Sequence, residues 1–214
     1  MFFIRYCRRR KLAFCAVLAL AVGLVPLPFD FYSGDAAFPS PDGIRSGDVV
    51  FIRGKSIRSV VVRLLEGSSH DYSHVGLVVL ENGRPFIIHA DPSQDITTDR
   101  VIKEPWDAVI SPKHITAAAI FRVADPSAAD RLGIQASTVA QQFWRDALPF
   151  DHEFDLTTPE NLYCTELVWR AYMAAGIDLR GSSFGPDRKY LFPSDLIKSE
   201  LLREIQHQQN RPNE

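Results

Sequence analysis

Net charge is almost absent from this chain: 24 Lys and Arg against 26 Asp and Glu leave −2 over 214 residues. Nucleic-acid binding relies on a basic excess to neutralise phosphates, so a DNA or RNA partner has no electrostatic basis here. Cysteine is scarce, with three in all, too few for a scaffold built on disulfides. There is no CxxC, no HExxH and no histidine cluster, and therefore no ordinary zinc signature. A phosphate-cradling glycine loop and a GxSxG elbow are missing too, which leaves nucleotide and serine-hydrolase chemistry without a motif. No repeat period is visible, and 12 Gly and 14 Pro are ordinary numbers, so solenoid and collagen-like architectures are excluded. Neither a metal nor a cofactor is expected.

What remains is a chain that is 46% hydrophobic, long enough to bury one core of ordinary size. It opens with Arg5, Arg8, Arg9, Arg10 and Lys11, followed by an uncharged apolar run from Leu12 to about Phe29. A basic cluster before an apolar run is the order of a secretory signal, so residues 1–37 read as an export signal or an uncleaved membrane anchor. Ala36 and Ala37 offer a small-residue cleavage site, while the length of the run suits an anchor and possible membrane contact. Either way the positive end stays in the cytoplasm and the body faces the periplasm or cell envelope. Cys7 and Cys15 travel with this segment, which leaves Cys164 as the only cysteine of the exported body, without a partner.

Residues 38–205 read as one domain, with 206–214 a polar tail. Asp48 to Arg53 has strand character, and Ser56 to Leu65 places apolar residues at helical spacing. Ser73 to Leu80 and Pro85 to Ala90 flank Asn82-Gly83, the strongest short-range hairpin signal, and should pair antiparallel. Ile96 to Ile102 and Ala117 to Val123 are further strands, giving about five, and Pro105 and Pro112 prevent a long helix between them. A helix is predicted over Ala128 to Leu148 with Ser127 as N-cap, and another from Tyr163 to Ala175 closed by Gly176. A last short helix starts at Pro193, Ser194 and Asp195. The fold class is therefore α+β, an antiparallel sheet packed against helices.

Cys164 falls at the head of the second helix. Unpaired N–H groups and the macrodipole stabilise a thiolate there and can hold an oxyanion. A thiolate nucleophile needs a base, and a base needs an orienting group. Of six histidines, His74 and His89 lie in the two strands of one hairpin and can share its end, provided the register puts them on one face. His70 and His152 fall in loops, and His114 and His207 read as surface positions.

Four short motifs in this order, Ser46-Gly47-Asp48, Ser73-His74-Val75-Gly76, His89-Ala90 and Leu162-Tyr163-Cys164-Thr165-Glu166, resemble the circularly permuted papain-like hydrolases, specifically the YiiX-like branch of the NlpC-type peptidases. The resemblance spans about Gly43 to Leu196. It implies Cys164 as nucleophile, His74 as base and His89 as the residue orienting His74, at a position that in the family is often a carboxylate. Tyr163, Asp48 and Asp155 are the candidates for oxyanion or substrate contact, and Glu166 for bracing the helix. The resemblance implies amide cleavage through a thioester, with a peptidoglycan stem peptide as expected substrate. An acyl-lipid amide or ester is the alternative, and a non-catalytic envelope-binding domain a third reading.

Overall fold

The computed structural model describes residues 42–55, 72–92, 99–182, 184–185 and 188–208. The export segment, the Ser56 to Leu65 helix and His70 lie outside the described residues. The strands are β1 (Val49–Gly54), β2 (His74–Glu81), β3 (Arg84–Asp91), β4 (Arg100–Pro105), β5 (Ile115–Val123) and β6 (Leu202–Gln208). The helices are α1 (Trp106–Val109), α2 (Ala129–Arg145), α3 (Cys164–Ala174) and α4 (Pro193–Ile197). One sheet runs in the order β4-β3-β2-β1-β5-β6, with every neighbouring pair antiparallel.

Alternation sorts the central strands into two apolar faces. Val49, Phe51, Val75, Leu77 and Ile88 join a core that includes Leu132 and Ala136 of α2 and Leu167, Val168 and Ala171 of α3. Val50, Ile52, Val78, Ile87 and Ile120 belong to a second core with Trp106 and Ile110. Burial on both faces explains why Val49-Val50-Phe51-Ile52 is apolar without a break. The β2–β3 hairpin closes through Asn82 and Gly83 at φ 52° and 77°, the two left-handed residues that a type I′ turn requires.

Among the described residues the sheet has six strands, where about five were expected. The added one, β6, reads LREIQHQ, whose polar residues hide its strand character; it is stabilised by pairing with β5. Gln206 to Gln208 thus belong to the sheet rather than to a polar tail. Ser127 does not cap α2. Asp125 organises that entry instead, its carboxylate accepting from both the backbone N–H (2.9 Å) and the hydroxyl (2.7 Å) of Ser127. The helix also ends at Arg145, three residues early, because Ala147 turns left-handed (φ 51°). Its N–H reaches Trp144 O and that of Leu148 reaches Phe143 O, a Schellman closure. The same closure ends α3, with Gly176 (φ 97°) in the left-handed position.

The lead-in to β1 is pinned from three sides. A Cβ on Gly47 would come within 2.1 Å of Gly133 Cα, so the strand entry and α2 pack at a distance only glycine allows. The Tyr172 hydroxyl of α3 donates to Gly47 O. Asp48, 1% exposed, takes two bonds from Arg122, Nε to Oδ1 and Nη2 to Oδ2, each 2.7 Å, while its Oδ2 also accepts the Arg45 N–H. The carboxylate is committed to this buried pair, which corrects Asp48 from a substrate contact to a structural brace. Asp48→Asn strands a buried guanidinium and is expected to cost about 3–5 kcal/mol. A urea titration should show the fall in midpoint, whereas the alkylation rate of Cys164 in the folded fraction should stay at the wild-type value.

Candidate active site

Cys164 is a free, half-buried thiol at the first position of α3, after Tyr163 in extended conformation (φ −100°, ψ 173°). No side chain caps this helix, so its first N–H groups remain available to a thiolate or an oxyanion. Both neighbours of the cysteine clamp one residue: the Tyr163 hydroxyl accepts the Leu191 N–H (2.9 Å) and the Thr165 hydroxyl donates to Leu191 O (2.5 Å). Burial raises the phenol pKa well above its usual value. Tyr163, 3% exposed with its ring against Phe154, therefore positions the helix start and does not present its hydroxyl as an oxyanion donor.

The loop before α3 is built on two aspartates. Asp151 accepts the N–H of Glu153 (2.9 Å) and of Asp155 (2.6 Å). The Asp155 carboxylate is held below its usual range by the N–H and hydroxyl of Thr157, at 2.9 and 2.8 Å. Both bonds fall on Oδ1, so Asp155 shapes the local turn through that one oxygen. His152 and His114 are exposed as expected, His152 while pairing with Asp99 at 2.9 Å. His207 lies within β6.

The hairpin histidines do meet. His74 Nε2 lies 2.8 Å from His89 Nδ1, and His89 Nε2 lies 3.0 Å from Glu104 Oε2 on β4. Register explains the diagonal. Extending the β2–β3 pairing past Leu77↔Ile88 sets Gly76 opposite His89, and a Cβ on Gly76 would come within 2.5 Å of Ile87 Cγ2 and 3.3 Å of His89 Cβ. The missing side chain leaves room for the His74 ring to reach across to His89. On the other side His89 pairs with Ile102, which places Glu104 one alternation along on the same face.

The chain also sets the tautomers. The hydrogen bond to His89 lowers the Glu104 pKa, so this carboxylate is ionised and can only accept. His89 must then carry its proton on Nε2 and accept at Nδ1, and His74 must donate from Nε2. That leaves His74 Nδ1 as the basic nitrogen, the arrangement a general base toward a thiol requires. Glu104 is the member that sequence reasoning missed. The signal available was its alternation with Ile102, but the strand predicted there ended at Ile102.

Cys164 is brought to the same hairpin by α3, which packs on β2 and β3. Among the described residues its Sγ makes no hydrogen bond, with His74 or any other group. By alternation His74 shares a face with Val78, opposite the Val75 and Leu77 side on which α3 rests. His74 is the first residue of its strand, so a thiol and imidazole pairing runs around the strand end. Catalytic contacts commonly tighten only when substrate is bound.

Two residues beyond the cysteine, Glu166 is fully buried. Its Oε1 accepts Arg170 Nε at 2.7 Å, while Oε2 has no partner among the described residues. Burial raises its pKa to about 7 against the pull of Arg170, with Asp151 adding to the rise. It braces α3 as expected, but does so partly protonated.

A thiol at a helix head, ahead of which the chain has already laid down an imidazole-bearing antiparallel hairpin, defines a cysteine hydrolase of papain-like type with permuted order. The chain belongs to the permuted papain-like amidases of the YaeF/YiiX, C92 family, whose profile matches residues 43–187. A crystal structure described as the metalloprotein yiiX from Escherichia coli O157:H7 has the same fold, with TM-score 0.60 and 19% identity over 77% of this chain and 98% of that one. No curated protein matches the chain. Among the described residues here no three His, Cys, Asp or Glu side chains converge as a metal-ligand set. His74 and His89 direct nitrogens at each other rather than at a common point.

Two outcomes follow from these carboxyl groups. Glu104→Gln keeps an acceptor for His89 but removes the charge that supports an imidazolium. Iodoacetamide labelling of Cys164 near pH 7 should slow about tenfold, a loss of about 1.4 kcal/mol of support for the ion pair, and recover near pH 10. For Glu166 the folded state binds the proton more tightly than the unfolded chain. Its contribution is complete below the ordinary value of 4.5 and is lost as pH rises through about 7. Melting temperature in wild type should therefore fall between about pH 5 and pH 8 by more than in Glu166→Gln.

Proposed function

We propose that this amidase is exported and opens amide bonds in peptidoglycan stem peptides through a thioester on Cys164. The observation that carries the reading is the Glu104–His89–His74 chain, which leaves a basic nitrogen on the first residue of a strand packed against the cysteine helix. Cys164 Sγ gives its proton to His74 Nδ1 and forms a bond to the carbonyl carbon. The tetrahedral oxyanion is held by the uncapped N–H groups of α3. Collapse breaks the C–N bond as the His74 proton passes to the leaving amine. Water, deprotonated by His74, then attacks the thioester; the carboxylic acid departs and the thiol is restored. The imidazolium formed in each half is supported through neutral His89 by ionised Glu104.

Export rests on the basic cluster and the apolar run of residues 12–29, with the signal cleaved or retained as an anchor. That run also favours a second substrate class, acyl-lipid amides or esters, because a retained anchor would hold the cleft beside a bilayer. Purified protein incubated with muropeptides should yield new fragments by mass spectrometry, and Cys164→Ala should yield none. Fragments that persist with Cys164→Ala overturn the thiol mechanism. An inert muropeptide pool beside hydrolysed detergent-dispersed acyl amides overturns the peptidoglycan assignment.

A further inference from the structure

Two exposed rings stand beside the head of the cysteine helix. Residues 149–152 run alongside residues 162–164: the Leu162 N–H donates to Pro149 O (2.9 Å), the Asp151 N–H donates to Leu162 O (3.2 Å), and Phe150 pairs with Leu162 in parallel. His152 and Cys164 thus each stand two residues past the bridged pair. On its other side Phe150 donates to Asp99 O (3.0 Å), at the entry to β4. Asp99 lies one alternation before Val101, which joins the core beneath α3. It also lies at the sheet end that carries His74 and His89, since Arg100 pairs with Asp91, the last residue of β3.

Each ring is held by a buried carboxylate. His152 is 42% exposed, yet its Nε2 lies 2.9 Å from Oδ2 of Asp99, whose side chain is 3% exposed. With the carboxylate accepting, the neutral imidazole carries its proton on Nε2 and keeps Nδ1 as an acceptor. Among the described residues that Nδ1 makes no hydrogen bond. Phe154 is 41% exposed and has φ 56°, a left-handed conformation that strains a bulky residue. It is kept there by buried Asp151, which accepts the N–H groups of the residues on either side, Glu153 and Asp155. Phe150 packs edge-on against both rings, 5.0 Å from His152 and 6.0 Å from Phe154, and Phe154 meets Tyr163, the residue before the nucleophile, at 5.2 Å. Packing alone gives no reason to strain the backbone under an exposed ring, or to bury two carboxylates beneath exposed side chains. Contact with a substrate supplies one. The reacting carbonyl lies across the end of α3, where the free N–H groups point, and the two rings rise beside that end.

We propose that His152 and Phe154 form a substrate-contacting wall of the active site. His152 Nδ1 accepts a backbone N–H of the bound peptide, and the Phe154 ring covers the side chain of an apolar residue beside the scissile amide. The inference rests on the hydrolase reading above and narrows its substrate to peptides, because an acyl ester has no N–H to offer.

The test is calorimetric titration of the full chain carrying Cys164→Ala with a peptidoglycan stem tetrapeptide, and with analogues in which each backbone N–H is methylated in turn. Adding His152→Ala should weaken binding of the parent peptide about tenfold, the worth of one well-made hydrogen bond, while one methylated analogue binds both proteins alike. Adding Phe154→Asn, which removes the ring but suits a left-handed backbone, should weaken binding about fivefold. In chains that keep Cys164, neither substitution should change the rate of iodoacetamide labelling, since that reagent is too small to touch the wall. The proposal is overturned by a peptide that does not bind, by binding that ignores either substitution, by a His152→Ala loss equal for every analogue, or by labelling that slows along with binding. Turnover of the parent peptide separates the two claims. Cleavage with KM unchanged by both substitutions defeats the wall alone, and wall-dependent binding without cleavage by wild type defeats the hydrolase reading alone.

Discussion

In the proposed mechanism everything depends on His89 being buried with both ring nitrogens committed. At 3% exposure an imidazole cannot leave a nitrogen unsatisfied without cost. Glu104 occupies one nitrogen and His74 the other, so the ring has one orientation and one tautomer. The carboxylate's polarity passes through two rings to a nitrogen on the first residue of β2. A surface carboxylate, 42% exposed on a peripheral strand, thereby influences a base that it never touches. The sheet makes this possible by alternation alone: diagonal neighbours on β2, β3 and β4 share a face, and Gly76 removes the side chain that would stand between them.

The parts of this arrangement that are local in sequence were legible. Asn82-Gly83 marked the hairpin, Gly176 the end of the cysteine helix and Pro193 the start of the last one, because turn and cap chemistry is decided by a few adjacent residues. Register is not local. Whether His74 and His89 share a face is settled by pairing, and Glu104 joins them only through a third strand. The polar composition of β6 concealed it because its strand state comes from its partner β5. Asp48 and Tyr163 misled for a related reason. Both belong to the motifs that carry the family pattern, yet burial commits one to Arg122 and the other to Leu191. At this site, membership of a motif selects bracing residues as readily as reacting ones.

Two carboxyl groups are set in opposite directions, and their settings are mutually consistent. Glu104 is held ionised by an imidazole partner, whereas Glu166 is pushed toward neutrality by burial. An ionised Glu166 would compete with a Cys164 thiolate for the same helix N-terminal field two residues away. Arg170 offsets that charge through one oxygen, and the other has no partner among the described residues. Partial protonation of Glu166 therefore reduces negative charge on the nucleophile's side, while ionised Glu104 adds it on the base's side. A thiolate–imidazolium pair is favoured by both, since its negative end needs a field free of other anions and its positive end needs a counter-charge within reach. The fold achieves this separation by packing one carboxyl into the helix core and placing the other near solvent at the far end of the histidine chain.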